Sequence, residues 1–242
     1  MTISVAPNDF ATYAALRTFL QAILPAGTDV IRGQANRVPE PKSDNFVVMT
    51  QTRRERIETN IDEFVDTRFI ASITGGSMTV TEMDYGRLIL GSIILGVDVL
   101  PGTFITSLFP GSGGTGTYGI SPVQTLSGRV MAAGVLNALQ PTEMTVQLDV
   151  HGPDSGDNVQ RISTMMRDDY AYLNFTRNST GIFPLYADSP KQVPFINDSN
   201  QVETRWIVEA CLQVNATVEN IPQEFFEQIV VGLIDVDAFY PA

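Results

Sequence analysis

From Asn8 onward the apolar positions Tyr13, Leu16, Leu20, Ile23 and Leu24 recur near a helical period. The spacing predicts a helix capped by Asn8 or Asp9 and closed by Pro25 and Gly27. The outer side of this helix carries only Arg17 as a charge, thin cover for a surface in water, so packing against a partner is expected. Next come "DVIRGQANRV" and "NFVVMTQT", two strand-like runs separated by "PEPKSD", whose Pro39 and Pro41 suit a turn. In "RRERIETNIDEFV" the charges are spaced for a helix, while Ile57, Ile61 and Val65 fit an irregular strand equally well.

At Phe69 the pattern changes to short β-branched pieces: "FIASITGGSMTVTEMD", "GRLILGSIILG", "GTFITSLFPGSGGTGTYGISP" and "VQTLSGRVMAAG". Within "GSGGTGTYGISP" five glycines fall in nine positions. With Tyr118 and Ile120 two apart and a strand-like run following, they read as tight positive-φ turns of a compact β module. A phosphate cradle would need a lysine and a following helix, and neither is there; nor do these glycines open a helix as a dinucleotide site requires.

After Pro141 the first pattern returns. "TEMTVQLDVHG" alternates as a strand with Met144, Val146, Leu148 and Val150 on one side. "SGDNVQRISTMMRDDYAYL" reads as one helix, capped by Asp157, with Ile162, Met165, Met166 and Tyr170 on its apolar side. "FPLYADSPKQVPFINDSN", with Pro184, Pro190 and Pro194, reads as an extended excursion. "ETRWIVEACLQVNATV" is a strand with Trp206, Val208, Ala210, Leu212 and Val214 in one parity. A short helix at "PQEFFEQIV", with Pro222 in its first turn, and a strand near "GLIDVDAFYPA" complete the expected order. Helix, strands, helix, strands implies an α+β fold, a mostly antiparallel sheet with flanking helices. The expected domains are residues 1–68 and 131–242, interrupted by a small all-β insertion at residues 69–130.

At 242 residues, with 43% hydrophobic and 17% charged, the chain can bury one good core or two modest ones. Its net charge of −12 argues against a protein that grips a phosphate backbone. Between residues 66 and 136, Asp66, Glu82, Asp84 and Asp98 oppose Arg68, Arg87 and Arg129. That sums to −1 and leaves −11 for the remainder, as expected of two different modules. The first residues lack a basic segment, so a cleaved signal peptide is not expected, and "RLILGSIILGVDVL" is too short and interrupted to cross a bilayer. Asn174, Asn178, Asn197 and Asn215 open glycosylation triplets that would matter only in a secretory compartment.

Candidate chemistry is sparse. His151 is the single histidine, with Asp149, Asp154 and Asp157 nearby. A metal site or general base is conceivable from those types, but a strand end followed by a helix cap explains them better. Asp168 and Asp169 are adjacent in the expected helix and do not converge on one ligand; Asp235 and Asp237 share a strand face and read as solvated charge. The basic run Arg53, Arg54 and Arg56 suits contact with nucleic acid or an acidic partner, but reads better as a solvated or subunit-facing patch, and Cys211 reads as a buried inert thiol. No catalytic, cofactor-binding or metal residue is assigned, no cofactor is expected, and an enzyme is not expected.

Three ordered segments resemble the neck- or tail-terminator proteins of tailed bacteriophages: "VIRGQANRVPEPKSDNFVVMTQTRRERIETN", "VQLDVHGPDSGDNVQRISTMMRDDYA" and "PLYADSPKQVPFINDSNQVETRWIVEACLQVNATVENIPQEFF". The glycine-rich middle resembles a β module of phage tail-fibre and other virion proteins. The resemblance implies a structural protein forming a homo-hexameric ring at the head–tail junction. Such a ring ends the tail tube and joins it to the connector, with sheath as a further partner if the tail is contractile. DNA passes through it without specific binding, and no membrane is involved. The implied location is the virion neck, after assembly in the host cytoplasm. Alternatives are a virion binding module whose β insertion contacts another structural protein or a glycan, and a carboxylate-dependent hydrolase.

Overall fold

The computed structural model describes residues 3–33, 41, 43–108, 112–193, 195–196 and 202–222. The chain divides into two compact units. One comprises Ser4–Asp62 and Ala138–Glu219 and is called the helical unit; the other is built on Glu63–Asn137 and is called the β unit.

The helical unit begins with β1 (Ser4–Ala6) and α1 (Asp9–Ile23), where the Asn8 side chain accepts from the Ala11 N–H at 2.9 Å, as the capping pattern expects. β2 (Asp29–Arg32) pairs in parallel with β3 (Phe46–Arg56). β3 is antiparallel to the end of β7 (Gly116–His151), with Phe46 opposite His151 and Arg56 opposite Thr142. The strand alternative for "RRERIETNIDEFV" is the one adopted: β3 runs to Arg56, and β4 (Ile61–Tyr85) starts after a short break.

Where one helix was expected, two form: α2 (Ser155–Met165) and α3 (Asp169–Asn178). The break is local chemistry. Asp168 has extended backbone, and its carboxylate accepts from the Tyr170 N–H at 2.8 Å, so it caps a new helix instead of continuing the old one. Arg167 donates to the Ala187 carbonyl at 2.8 Å, fixing the chain at the corner. Asp157 lies in the first turn of α2, whose N-cap position is Asp154. Restarting the helix also turns Tyr170 outward and buries Ala171 and Phe175 instead.

The expected excursion is largely folded back on the same unit. β8 (Ile182–Ala187) and β9 (Lys191–Gln192) pair antiparallel with β12 (Arg205–Pro222), while β10 (Phe195–Ile196) pairs with β11 (Val202–Glu203). Pro184 is tolerated because β8 has β12 as its partner on one side only among the described residues. The resulting mixed sheet has the order β1-β12-β7-β3-β2. Pro222 ends β12; the expected final helix and strand, with Asp235 and Asp237, lie outside the described residues.

Alternation determines which face of this sheet is covered. Val47 and Met49, then Met144, Val146, Leu148 and Val150, then Val208, Ala210, Leu212 and Val214 are all buried against the three helices, the last two sets in the parities expected. Leu16, Phe19 and Leu20 of α1 meet Val159 and Ile162 of α2 and Phe175 of α3, with the Phe19 and Phe175 rings 5.5 Å apart. Each fully buried side chain of this kind contributes about 1.5–3 kcal/mol.

The β unit holds most of β4, then β5 (Ile93–Gly96), β6 (Phe104–Leu108) and the first part of β7. The two halves of β4 face one another: Thr81 Oγ1 donates to the Ile70 carbonyl, and Arg68 pairs with Asp84 at 3.4 Å. Gly75, with φ of 63°, sits at the fold-back. Phe69, Ile73, Met78, Leu88, Ile94, Ile105, Tyr118, Ile120 and Met131 form a separate apolar cluster.

The glycine-rich stretch has a divided role. Gly113 (φ 100°) and Gly116 (φ 150°) take conformations that favour glycine, as expected of turns. Gly119 instead lies within a ladder opposite Ser107, and a Cβ there would come within 2.4 Å of the Ser107 hydroxyl. Gly111 lies outside the described residues.

Candidate assembly interface

The residues that suggested chemistry are occupied structurally. Asp149, only 7% exposed, accepts from Arg205 Nε at 3.0 Å and Nη2 at 2.5 Å, and from Gln147 Nε2 at 3.0 Å. It is thus a buried ion-pair member. Asp154 accepts from Asn45 Nδ2 at 2.9 Å, tying the start of α2 to the start of β3. His151 stacks on Phe46, ring centroids 4.5 Å apart and nearly parallel. Burial, reinforced by the Arg205 charge, holds the imidazole below its ordinary range, although Asp149 and Glu203 pull the other way. Among the described residues no group of His, Cys, Asp or Glu is arranged to hold a metal ion.

Cys211 faces away from the helices, its thiol 3.9 Å from Thr145 Oγ1. Burial pushes the thiol pKa up, which disfavours the nucleophilic thiolate. Tyr186, its cross-strand neighbour, is pushed up to about 12, chiefly by its hydrogen bond with Cys211. Of the basic run, Arg53 pairs with Glu55, and Arg54 pairs with Asp9 at 2.6 Å. No helix among the described residues is long and apolar enough to cross a membrane.

What remains is apolar surface. On α1, Phe10, Ala14 and Arg17 lie on the side turned from the core, and Phe10 is 78% exposed. With Tyr13, Val30, Ile31, Arg32 and Met49 they line a groove of about 290 Å³ between α1 and β2. Arg32 lies over the Tyr13 ring, 4.3 Å from its centre, and the Tyr13 hydroxyl accepts from the Gln51 N–H at 2.9 Å. The groove wall is therefore held from both ends. The sequence showed the missing charge of this helix but not the groove, because Val30 and Met49 come from strands whose register against α1 no local pattern reveals. A second exposed group, Tyr170, Tyr172 and Leu173, projects from α3, with Tyr172 stacked on Phe183. Among the described residues of the β unit, Val97 and Val123 are the most exposed large apolar side chains. Exposed apolar surface of this kind fits protein–protein contact.

Comparison with known proteins bears on the same question. A family model described as phage neck terminator protein matches residues 99–237, more than half the chain. The match begins inside the β unit and continues through α2, α3 and β12. Among curated proteins no match is found.

Proposed function

The chain belongs to the phage neck terminator family, and from that premise we propose that six copies close into a ring that ends the tail tube and joins it to the connector. Family membership carries a structural role in the virion, at the neck of the tail, and association with other head or tail proteins. The finer reading is supported by the exposed Phe10 groove and the α3 aromatics, which give one protomer two separate apolar contact surfaces. A ring requires such heterologous contacts, one surface meeting a different one on the neighbour.

DNA passes through this ring during packaging and ejection. The net charge of −12 suits a lumen that repels phosphates and offers the genome no sticking point. The partners are the connector, the tail tube and, in a contractile tail, the sheath. The exposed Val97 and Val123 favour an additional contact between the β unit and another virion protein.

A reconstruction of the assembled neck, with native mass measurement of the purified protein, tests the proposal. Six protomers per ring around a neutral or negative aperture is the expected result. A monomer in both settings would overturn the ring, and a strongly positive narrowest aperture would overturn the account of DNA passage.

A further inference from the structure

The α1/β2 groove has chemistry specific enough to name an occupant: we propose that it receives residues 223–242 of a neighbouring copy. This inference rests on the ring reading and assigns one of its contacts. The groove offers an apolar lining, Phe10, Tyr13, Ala14, Val30, Ile31 and Met49, with two cationic side chains, Arg17 and Arg32, and no carboxylate. Asp9, beside Phe10 in the chain, is engaged by Arg54 and does not offset them.

Residues 223–242, "QEFFEQIVVGLIDVDAFYPA", are complementary in both respects. They carry Phe225, Phe226, Phe239 and Tyr240 as aromatic anchors, and Glu224, Glu227, Asp235 and Asp237 without a single lysine or arginine. Aromatic anchors seated in an apolar pocket and rimmed by opposite charge are the pattern from which most interface energy comes. Fully extended, a segment of this length spans roughly 65–70 Å, ample for reaching an adjacent protomer.

The test uses the full chain. Phe10 is replaced by the photo-cross-linker p-benzoylphenylalanine, an exchange the core tolerates because this side chain is 78% exposed. Protein of two isotopic labels is mixed, assembled and irradiated, and the joined peptides are sequenced by mass spectrometry. Cross-links to residues 223–242 in mixed-isotope pairs are expected. Cross-links only within one copy, to residues 34–40 or to any other segment, would overturn the proposal. Independently, Arg17→Glu should weaken assembly about tenfold, and Glu224→Arg with Glu227→Arg should restore it. Absence of the weakening or of the rescue also counts against the groove. Native mass of the unmodified protein separates the two readings: a hexamer cross-linked elsewhere sinks this contact and leaves the ring standing, whereas a monomer throughout removes both.

Discussion

His151 shows how a residue that suggests chemistry becomes part of the scaffold. As the last residue of β7 it stacks on its register partner Phe46, and Asp149, two positions earlier, is held by Arg205. Because burial lowers its pKa in the folded protein, the unfolded chain binds the proton more readily. The stability contributed by the neutral ring is therefore complete above the ordinary value of 6.5 and is lost as pH falls through it toward the lowered folded value. Thermal midpoints measured across that range should decline on acidification, and His151→Gln should flatten the decline. With a single histidine in the chain the assignment is clean; an unchanged slope in the variant would refute it.

Elements were most legible where one pattern dominated. The alternation at Met144–Val150 and Val208–Val214 placed the helix-facing core residues of β7 and β12 on one side, since a strand packed on the helices along one face has a period of two. The division of α2 from α3 was not legible, because Ile162, Met165, Met166 and Tyr170 continue a helical spacing straight through the break. What decides is Asp168 as a cap, together with Arg167 reaching Ala187 on β8. Asp168→Ala should consequently cost about 1 kcal/mol in chemical denaturation, the usual value of an N-cap. No loss would mean that packing of Phe175 alone sets where α3 begins. The proline-bearing stretch after α3 failed for a related reason: its strand character depends on β12, which comes later in the chain.

For the whole molecule the decisive observation is that the two apolar clusters share no residue. In the helical unit the chain leaves and returns on neighbouring strands, with Arg56 opposite Thr142 and the Ile57 N–H donating to the Pro141 carbonyl at 3.0 Å. We propose that residues 69–130 act as an inserted module, dispensable for folding the rest and available for contacts beyond the ring. Replacing them with a short Gly/Ser linker should leave cooperative unfolding of the helical unit and its assembly intact, while a virion or glycan contact is lost. An insoluble or non-cooperative product would show that the helical unit depends on these strands. The family match makes this a pointed experiment, because its span from residue 99 includes part of the β unit.

The sequence by itself determined the capped first helix, the parity of the core strands, the change of texture at the β unit and the terminator resemblance. All of these follow from residues near one another in the chain, where period, caps and motif order can be read directly. Tertiary structure decided the parallel pairing of β2 with β3, the Asp149–Arg205 ion pair, the return of β8 onto β12 and the groove beside Phe10. Each joins segments distant in sequence: pairing register is set by the burial available once the sheet and helices meet, and that burial is a property of the assembled layers.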